Sequence, residues 1–386
     1  MTEALTLAEY QAQALLTDQR RTSDPALAFA LLGLFGETGS LLSEVKKKQR
    51  DPVSYRGYQD SVVEELGDTL WYLTAVADRG HVALSELGAN LDRTLEDWQG
   101  SPADNLTFQE LQPEAPPLQS GPSPAFERTL LQLAGEVGLL LTDHEAGRLT
   151  RNKAALFGRL LAILRTLRAA AHDAGVTLEA AARANLDKIF DRWPQKRVYP
   201  VPFDANCPPQ EQLPRQFIVE ICEVYIEGRP KACLIIDGRP IGDPLTDNRQ
   251  EDDDYRFHDV FHLAHAAILG WSPSFRRLLR RKRKSLPAID EAEDGARAVL
   301  IEEGVATWIF NHAQRLAFFE NVKALDYGLL KTVREFVHGY EAAHSPLWLW
   351  EETILQGYTV FRNVRAARGG IITGSLTDRT IRWAPR

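Results

Sequence analysis

Acidic side chains recur at helical spacing near the start of the chain. Glu37 and Glu44 are seven positions apart, and Glu65 and Asp68 are three apart, so each pair lies on one face of a helix. Two antiparallel helices would bring the four carboxylates to one point, where burial is costly unless a cation balances them. These oxygen ligands suit Mg²⁺, with Mn²⁺ as a substitute. The alternative is four solvated surface acids, and the apolar neighbours of Glu65 argue against it.

A second group of ionisable residues lies in the last third of the chain. His258 and His262 are four positions apart, a spacing that can chelate a metal on a helix. Asp294 and Glu302, eight apart, lie close enough to one face of a later helix to supply a carboxylate. Two histidines and a carboxylate would form a second metal site. The alternative is a polar network in which these residues hold two helices together, and both interpretations stay open.

The elements that must position these residues are mainly helical. Apolar residues recur with a period near 3.6 in residues 1–100 and 126–195, as in amphipathic helices. Residues 101–125 contain six prolines, which cannot continue a helix, and we predict a linker there. The predicted fold class is therefore mainly α.

Residues 196–386 differ from the rest because they also contain β-forming segments. Residues 217–226 and 232–236 flank a turn sequence, so a small β-hairpin is predicted. A second small hairpin is predicted between Ile371 and Trp383. Helical patterns dominate the remainder, which predicts an α-rich C-terminal domain.

The two helical blocks contain an internal repeat. The segment Leu34–Leu42 matches Leu133–Leu141, and Asn90–Trp98 matches Asn185–Trp193, in the same order and at similar separation. A duplicated helical unit is predicted.

The motifs Gly36-Glu37-Thr-Gly39, Glu64-Glu65-Leu-Gly-Asp68 and Asn90-Leu-Asp-Arg93, in this order, resemble the MazG-type all-α nucleoside triphosphate pyrophosphohydrolases. In that family two helices bind magnesium through Glu-x-x-Glu and Glu-x-x-Asp motifs, and water cleaves the triphosphate to the monophosphate and pyrophosphate. The resemblance covers about the first half of the chain. The resemblance implies that this chain catalyses the same reaction on a nucleoside triphosphate, which could be a noncanonical one. It also implies that Glu37, Glu65 and Asp68 are the catalytic residues. The segment 258–303 resembles the helical domain that follows some MazG-like proteins.

The chain departs from the family pattern at two acids. Ser40 and Ser43 stand where the family has acids, and Glu44, one position later, is expected to substitute. In the second copy the counterpart of the Glu-x-x-Asp motif falls within residues 156–164, which contain no acid. That copy is not expected to bind the catalytic metal alone.

The second copy is expected to complete the site instead. MazG-type enzymes dimerise and neighbouring subunits share sites, so the resemblance implies either a homodimer or, within this chain, an internal dimer. Asn185, Lys188 and Arg192 of the second copy would then bind the substrate phosphates. The alternative is that these cations lie on a solvated helix end.

Composition limits the other function classes. The net charge is −8, from 45 basic and 53 acidic residues, which argues against nucleic acid as the main partner, although the basic segment 276–284 leaves it open. That segment could instead pair with acids at 290–294 and 251–254. Three cysteines, an N-terminus without a signal pattern and apolar runs too short to span a membrane predict a cytoplasmic protein with no membrane partner.

Two other functions stay open. Ser40 and Ser43 would suit a nucleotide sensor with weakened catalysis. An enzyme whose metal site is the C-terminal histidine and glutamate cluster is the other alternative.

Overall fold

A computed structural model describes residues 3–20, 26–93, 103–149 and 152–386. The chain divides into two compact units, Met1–Gln195 and Lys196–Arg386. The helices of the first unit are α1 (Leu7–Leu15), α2 (Ala26–Arg50), α3 (Tyr58–Arg79), α4 (Leu84–Ala89), α5 (Phe108–Leu111), α6 (Pro124–Glu145), α7 (Lys153–Ala174) and α8 (Leu178–Arg192).

Local sequence signals account for several of these helix ends. Thr6 caps α1 through a reciprocal bond with Glu9, a capping box. Ser123 caps α6, and Pro124 occupies its first turn, where the missing N–H costs nothing. α7 ends at Gly175, whose φ is +77°, a conformation that glycine adopts without strain.

The two predicted copies share one hydrophobic core. Each contributes a pair of long helices, α2 with α3 and α6 with α7, and α2 also packs on α6. Leu34 and Leu66 of the first copy and Leu133 and Leu164 of the second are fully buried in the same apolar cluster. The first unit is therefore built from both copies together.

The predicted linker is partly structured. It contains α5, and the Gln112 side chain donates to the Val176 carbonyl (3.0 Å) and accepts from the Leu178 amide (2.9 Å). These bonds attach the described part of the segment to the start of α8. Residues 101 and 102, and the end of the first repeat motif including Trp98, lie outside the described residues.

Within the described part of the chain, one helix, Leu27–Arg50, is long and apolar enough to cross a membrane by length and composition alone. The sequence predicts apolar runs too short for this. This helix is α2, which buries Leu31, Leu34 and Leu41 in the bundle and carries Glu37 and Glu44. Core helices of soluble proteins have the same features.

The second unit combines helices with one sheet. Its helices are α9 (Asp259–Ala264), α10 (Pro273–Leu279), α11 (Pro287–Ala292), α12 (Ala296–Ala313), α13 (Tyr327–Phe336) and α14 (Leu347–Ala367), and its strands are β1 (Gln216–Ile226), β2 (Arg229–Ile236), β3 (Arg239–Leu245), β4 (Gly369–Ser375) and β5 (Thr380–Ala384). α14 packs on α9 and on the sheet and buries Trp350 completely.

The β region is larger than the small hairpin that the sequence predicts. The predicted hairpins are β1–β2 and β4–β5, and all five strands join in one antiparallel sheet in the order β3-β2-β1-β4-β5. The joining pair is β1 with β4, where Ile221 lies opposite Gly370. This pairing connects segments about 150 residues apart, so local patterns do not reveal it.

The basic segment 276–284 is partly buried in ion pairs. Arg276 pairs with Asp204, and Arg283 pairs with Asp294 at 2.8 Å. All four side chains are at most 2% exposed. Two cations of the segment are therefore neutralised inside the unit and are not available to a nucleic acid.

Candidate functional site

Three of the predicted acids meet between α2 and α3. Glu37 lies on α2, and Glu65 and Asp68 lie one turn apart on α3. Each offers a carboxylate oxygen, and these oxygens all lie within 4.8 Å of one another. The two helices pack side by side, which places the carboxylates at one point as the spacing predicts. We call Glu37, Glu65 and Asp68 the acid cluster.

Burial and mutual repulsion change the titration of the acid cluster. Burial raises the pKa of Glu65 to about 8, and the charges of Glu37 and Asp68 act in the same direction. Burial and the charge of Asp68 also raise the pKa of Glu37. One oxygen of Glu65, Oε2, is buried without a hydrogen-bond partner among the described residues. Glu65 therefore holds a proton near neutral pH, and the cluster has an unused ligand atom.

Helix α8 of the second copy reaches the acid cluster. The Lys188 ammonium pairs with Asp68 and, at 2.8 Å, with Glu64. Asn185 Nδ2 donates to Asp68 Oδ1 at 2.9 Å, and its own Oδ1 accepts from the buried Tyr10 hydroxyl at 3.1 Å. Burial alone would lower the pKa of Lys188, but Asp68 and Glu64 raise it above its ordinary value, so Lys188 is a cation.

A glycine on α3 permits this approach of α8. A Cβ atom at Gly67 would lie 2.6 Å from the Ala181 carbonyl oxygen and 2.9 Å from the Asn185 Cβ. Any larger residue would push the two helices apart. Gly67 stands next to Asp68 in the sequence, so the close contact lies at the acid cluster itself.

Glu44, the predicted fourth ligand, lies outside the acid cluster. Lys47 donates to one of its oxygens at 2.5 Å, and the Tyr55 hydroxyl donates to the other. Both carboxylate oxygens are therefore occupied by the chain's own donors. The prediction that Glu44 replaces the missing acids at Ser40 and Ser43 is not supported by this geometry.

Arg192, the third predicted phosphate ligand, stacks on its neighbour. Its guanidinium carbon lies 4.3 Å from the ring centre of Trp193. Lys188 and Asn185 thus contact the acid cluster, and Arg192 is held one turn further along against an aromatic ring.

Three histidines of the second unit, His258, His262 and His265, face two glutamates on α12. His262 Nδ1 lies 3.0 Å from Glu302 Oε1, and His262 Nε2 lies 3.2 Å from Glu303 Oε1. His258 Nε2 lies 3.5 Å from Glu303 Oε2. His265 Nδ1 also bonds to Glu302, at 2.9 Å. The sequence predicts Glu302 and Asp294 as the acids of this group, whereas in the structure Glu303 and His265 join Glu302.

Electrostatics couple these residues strongly. Burial would lower the pKa of His262, but the charge of Glu302 raises it well above its ordinary value. Burial would raise the pKa of Glu302, and the histidines lower it instead. In the absence of any other cation, a protonated His262 therefore balances the carboxylates.

Asp294 does not belong to this group. Both of its oxygens accept from Arg283, at 2.7 to 3.1 Å, including a bond from the Arg283 backbone amide. Its predicted role as a metal ligand is wrong, because an arginine fork already occupies the carboxylate. Glu303 directly follows Glu302 in the sequence, and this adjacency is the sequence signal that could have identified it as a member of the group.

An open cleft of about 720 Å³ ends at these side chains. His258 and Glu303 line it, together with Asn248, Arg249 and Thr307. Glu302, by contrast, is fully buried behind His262. The carboxylate of Glu303 is the one that solvent and small molecules can reach.

Comparison with known protein families gives a match within the second unit. Residues 198–386 match the model of the MazG C-terminal domain. The Gene 37 protein of Mycobacterium phage L5 is 36% identical over 61 residues, which are 15% of this chain and 54% of that protein; the chain thus spans about half the length of this curated relative. No solved structure matches the chain. Residues 198–386 of this chain therefore form a MazG-type C-terminal domain.

Proposed function

We propose that the first unit hydrolyses a nucleoside triphosphate to the nucleoside monophosphate and pyrophosphate. The observation that carries the proposal is the convergence of Glu37, Glu65 and Asp68 within 4.8 Å, with Lys188 in contact. The MazG-type C-terminal domain supports it, because this domain suggests a nucleotide-hydrolase family.

The acid cluster fits a magnesium ion. With Glu64, four carboxylates face one ammonium, that of Lys188, so full ionisation would leave an excess of three negative charges. The orphan Glu65 Oε2 and the hard oxygen donors match the ligand preference of Mg²⁺. Glu37, Glu65 and Asp68 would hold the ion, which when bound neutralises phosphate charge and polarises the phosphorus–oxygen bonds.

The chain's own residues have separate tasks in this proposal. Lys188 presents a cation at the acid cluster and would bind a phosphate oxygen there, while Asn185 holds Asp68 in place. One of the two glutamates, Glu37 or Glu65, would also orient the attacking water. Because Lys188 and Asn185 come from the second copy, one chain supplies both halves of the site, as in an internal dimer.

The test is pyrophosphate release by the full-length protein from canonical, deoxy and modified nucleoside triphosphates with Mg²⁺. Glu65→Gln is expected to reduce turnover by about 100-fold or more, because the amide lacks the charge that would hold the ion and orient the water. The control is Glu136→Gln, which changes the equivalent of Glu37 in the second copy. Wild-type protein that binds nucleotides and forms no product would contradict the proposal and favour a sensor.

A further inference from the structure

The second unit contains a set of metal-type ligands that the first unit's proposed reaction does not use. His258 Nε2 and His262 Nε2 both face Glu303, at 3.5 Å and 3.2 Å from its two oxygens. One ligand atom from each of the three residues lies within 4.8 Å of the others. The donors are two imidazoles and a carboxylate, on the helical segment that contains α9 and on α12.

The contacts of His262 differ from those of an ordinary hydrogen-bond network. Both of its ring nitrogens are buried and lie 3.0 Å and 3.2 Å from carboxylate oxygens. Neither makes a hydrogen bond of acceptable geometry within the described residues. Two ligand atoms that each lie about 2.1 Å from the same ion are about 3.0 to 3.4 Å apart and do not form a hydrogen bond with each other. The 3.2 Å between His262 Nε2 and Glu303 Oε1 lies in this range.

The other ring nitrogen of His258 has a hydrogen-bond partner, and that of His262 has a carboxylate neighbour. His258 Nδ1 lies 2.9 Å from the Tyr255 carbonyl oxygen, to which it can donate, and the Tyr255 ring stacks on the imidazole at 4.3 Å. His262 Nδ1 faces Glu302, whose second oxygen accepts from the Ser274 amide at 2.8 Å. Metal-binding histidines typically have such carbonyl or carboxylate partners, which leave the opposite nitrogen as the ligand.

The surroundings favour an open site. Three protein ligands leave at least one coordination position vacant, and His258 and Glu303 lie at the wall of the 720 Å³ cleft. Asn248 and Thr307 line the same cleft and could bind a polar molecule beside the ion, while Arg249, which also lines it, is paired with Asp253 at 2.9 Å. The related group of His262, His265 and Glu302 is completely buried and has no comparable access.

We propose that His258, His262 and Glu303 bind one divalent first-row transition-metal ion, represented by Zn²⁺. The vacant coordination position of the ion would face the cleft. Imidazole donors select such ions over Mg²⁺. The proposal is independent of the hydrolysis proposed for the first unit.

The experiment uses the full-length protein with Glu65→Gln as the background, so that the acid cluster does not contribute metal binding. Metal-free protein is titrated with Zn²⁺ and Co²⁺, bound metal is counted by elemental analysis, and Co²⁺ coordination is followed by its visible absorption. We expect one ion per chain. Glu303→Gln and His258→Ala are each expected to weaken binding at least tenfold.

Matched controls are Glu335→Gln and His338→Ala, which change exposed residues of the same unit and should retain the ion. Circular dichroism and the Tm of the metal-free variants establish that they fold. If a variant does not fold, the Zn²⁺-induced rise in Tm of the Glu65→Gln background decides instead. No stoichiometric ion, no rise in Tm, or equal binding by folded site variants and controls would overturn the proposal.

Discussion

Binding of Mg²⁺ at the acid cluster is expected to release a proton near neutral pH. Burial, with the charges of Glu37 and Asp68, raises the pKa of Glu65 to about 8. A group with that pKa is about 90% protonated at pH 7 and about 10% protonated at pH 9. A metal ligand must be deprotonated, so Glu65 should release about 0.9 proton on binding at pH 7 and about 0.1 at pH 9.

The same protonation weakens binding at the lower pH. The ionised fraction of Glu65 rises from about 0.1 to about 0.9 between pH 7 and pH 9, so the affinity for Mg²⁺ should rise about tenfold, or about 1.4 kcal/mol. Glu37 and Asp68 also have raised pKa values and act in the same direction. Lys188 stays charged throughout because its pKa is raised.

Calorimetry in buffers of different ionisation enthalpy measures both quantities. The titrations are made at pH 7 and pH 9 on wild type, on Glu65→Gln and on the Glu136→Gln control. Glu65→Gln should lose most of the proton release, while the control should keep it. Mg²⁺ binding without proton release, at the same affinity at both pH values, would refute the assignment of Glu65 as a ligand with a raised pKa.

Three further predictions concern contacts around the two sites. Lys188→Met is expected to raise the KM for the triphosphate at least about tenfold, since a charge-assisted contact is lost, whereas Lys188→Arg should keep most of the affinity; steady-state kinetics with an unchanged KM in Lys188→Met would show that the ammonium only neutralises acids. Gly67→Ala should destabilise the protein by about 1–3 kcal/mol and reduce turnover, because its Cβ would lie 2.6 Å from a backbone oxygen of α8. Gly39→Ala, whose Cβ would meet nothing within 4 Å, should stabilise α2 by up to about 1 kcal/mol, and urea denaturation compares the two. Asp294→Ala should cost about 1–3 kcal/mol, because it removes one of the two carboxylates, Asp294 and Glu341, that accept from the buried Arg283, and should not change metal content; loss of bound metal from folded Asp294→Ala would restore this residue as a ligand.

The acid cluster shows how far helical spacing can predict a site. Glu65 and Asp68 share a face at any i, i+3 spacing on a helix, so their proximity needs no tertiary information. The contact of Lys188 and Asn185 with Asp68 follows from the packing of α8 on α3, and the internal repeat was the only hint of it in the sequence. Glu64 as a partner of Lys188 was not predicted, since spacing does not say which of two adjacent acids faces a neighbouring helix.

Glu44 and Asp294 show where the same reasoning fails. Both lie at suitable spacing, and both are bound by the chain's own donors: Glu44 by Lys47 and Tyr55, Asp294 by Arg283. A carboxylate that is already paired with buried or nearby donors is a poor ligand for an added ion. Lys47 lies three positions from Glu44 on the same helix, whereas Tyr55 and Arg283 reach the two acids from segments that helical spacing does not place.

Periodicity and local spacing act over a few residues, so they suffice to predict the mainly helical fold, the two long helix pairs and the face that Glu65 and Asp68 share. Three features depend on tertiary packing: the two hairpins join through β1 and β4, α8 contacts the acid cluster, and Glu303 rather than Asp294 faces His258 and His262. These contacts join residues far apart in the chain, and packing between elements, which local patterns do not encode, sets which side chains meet.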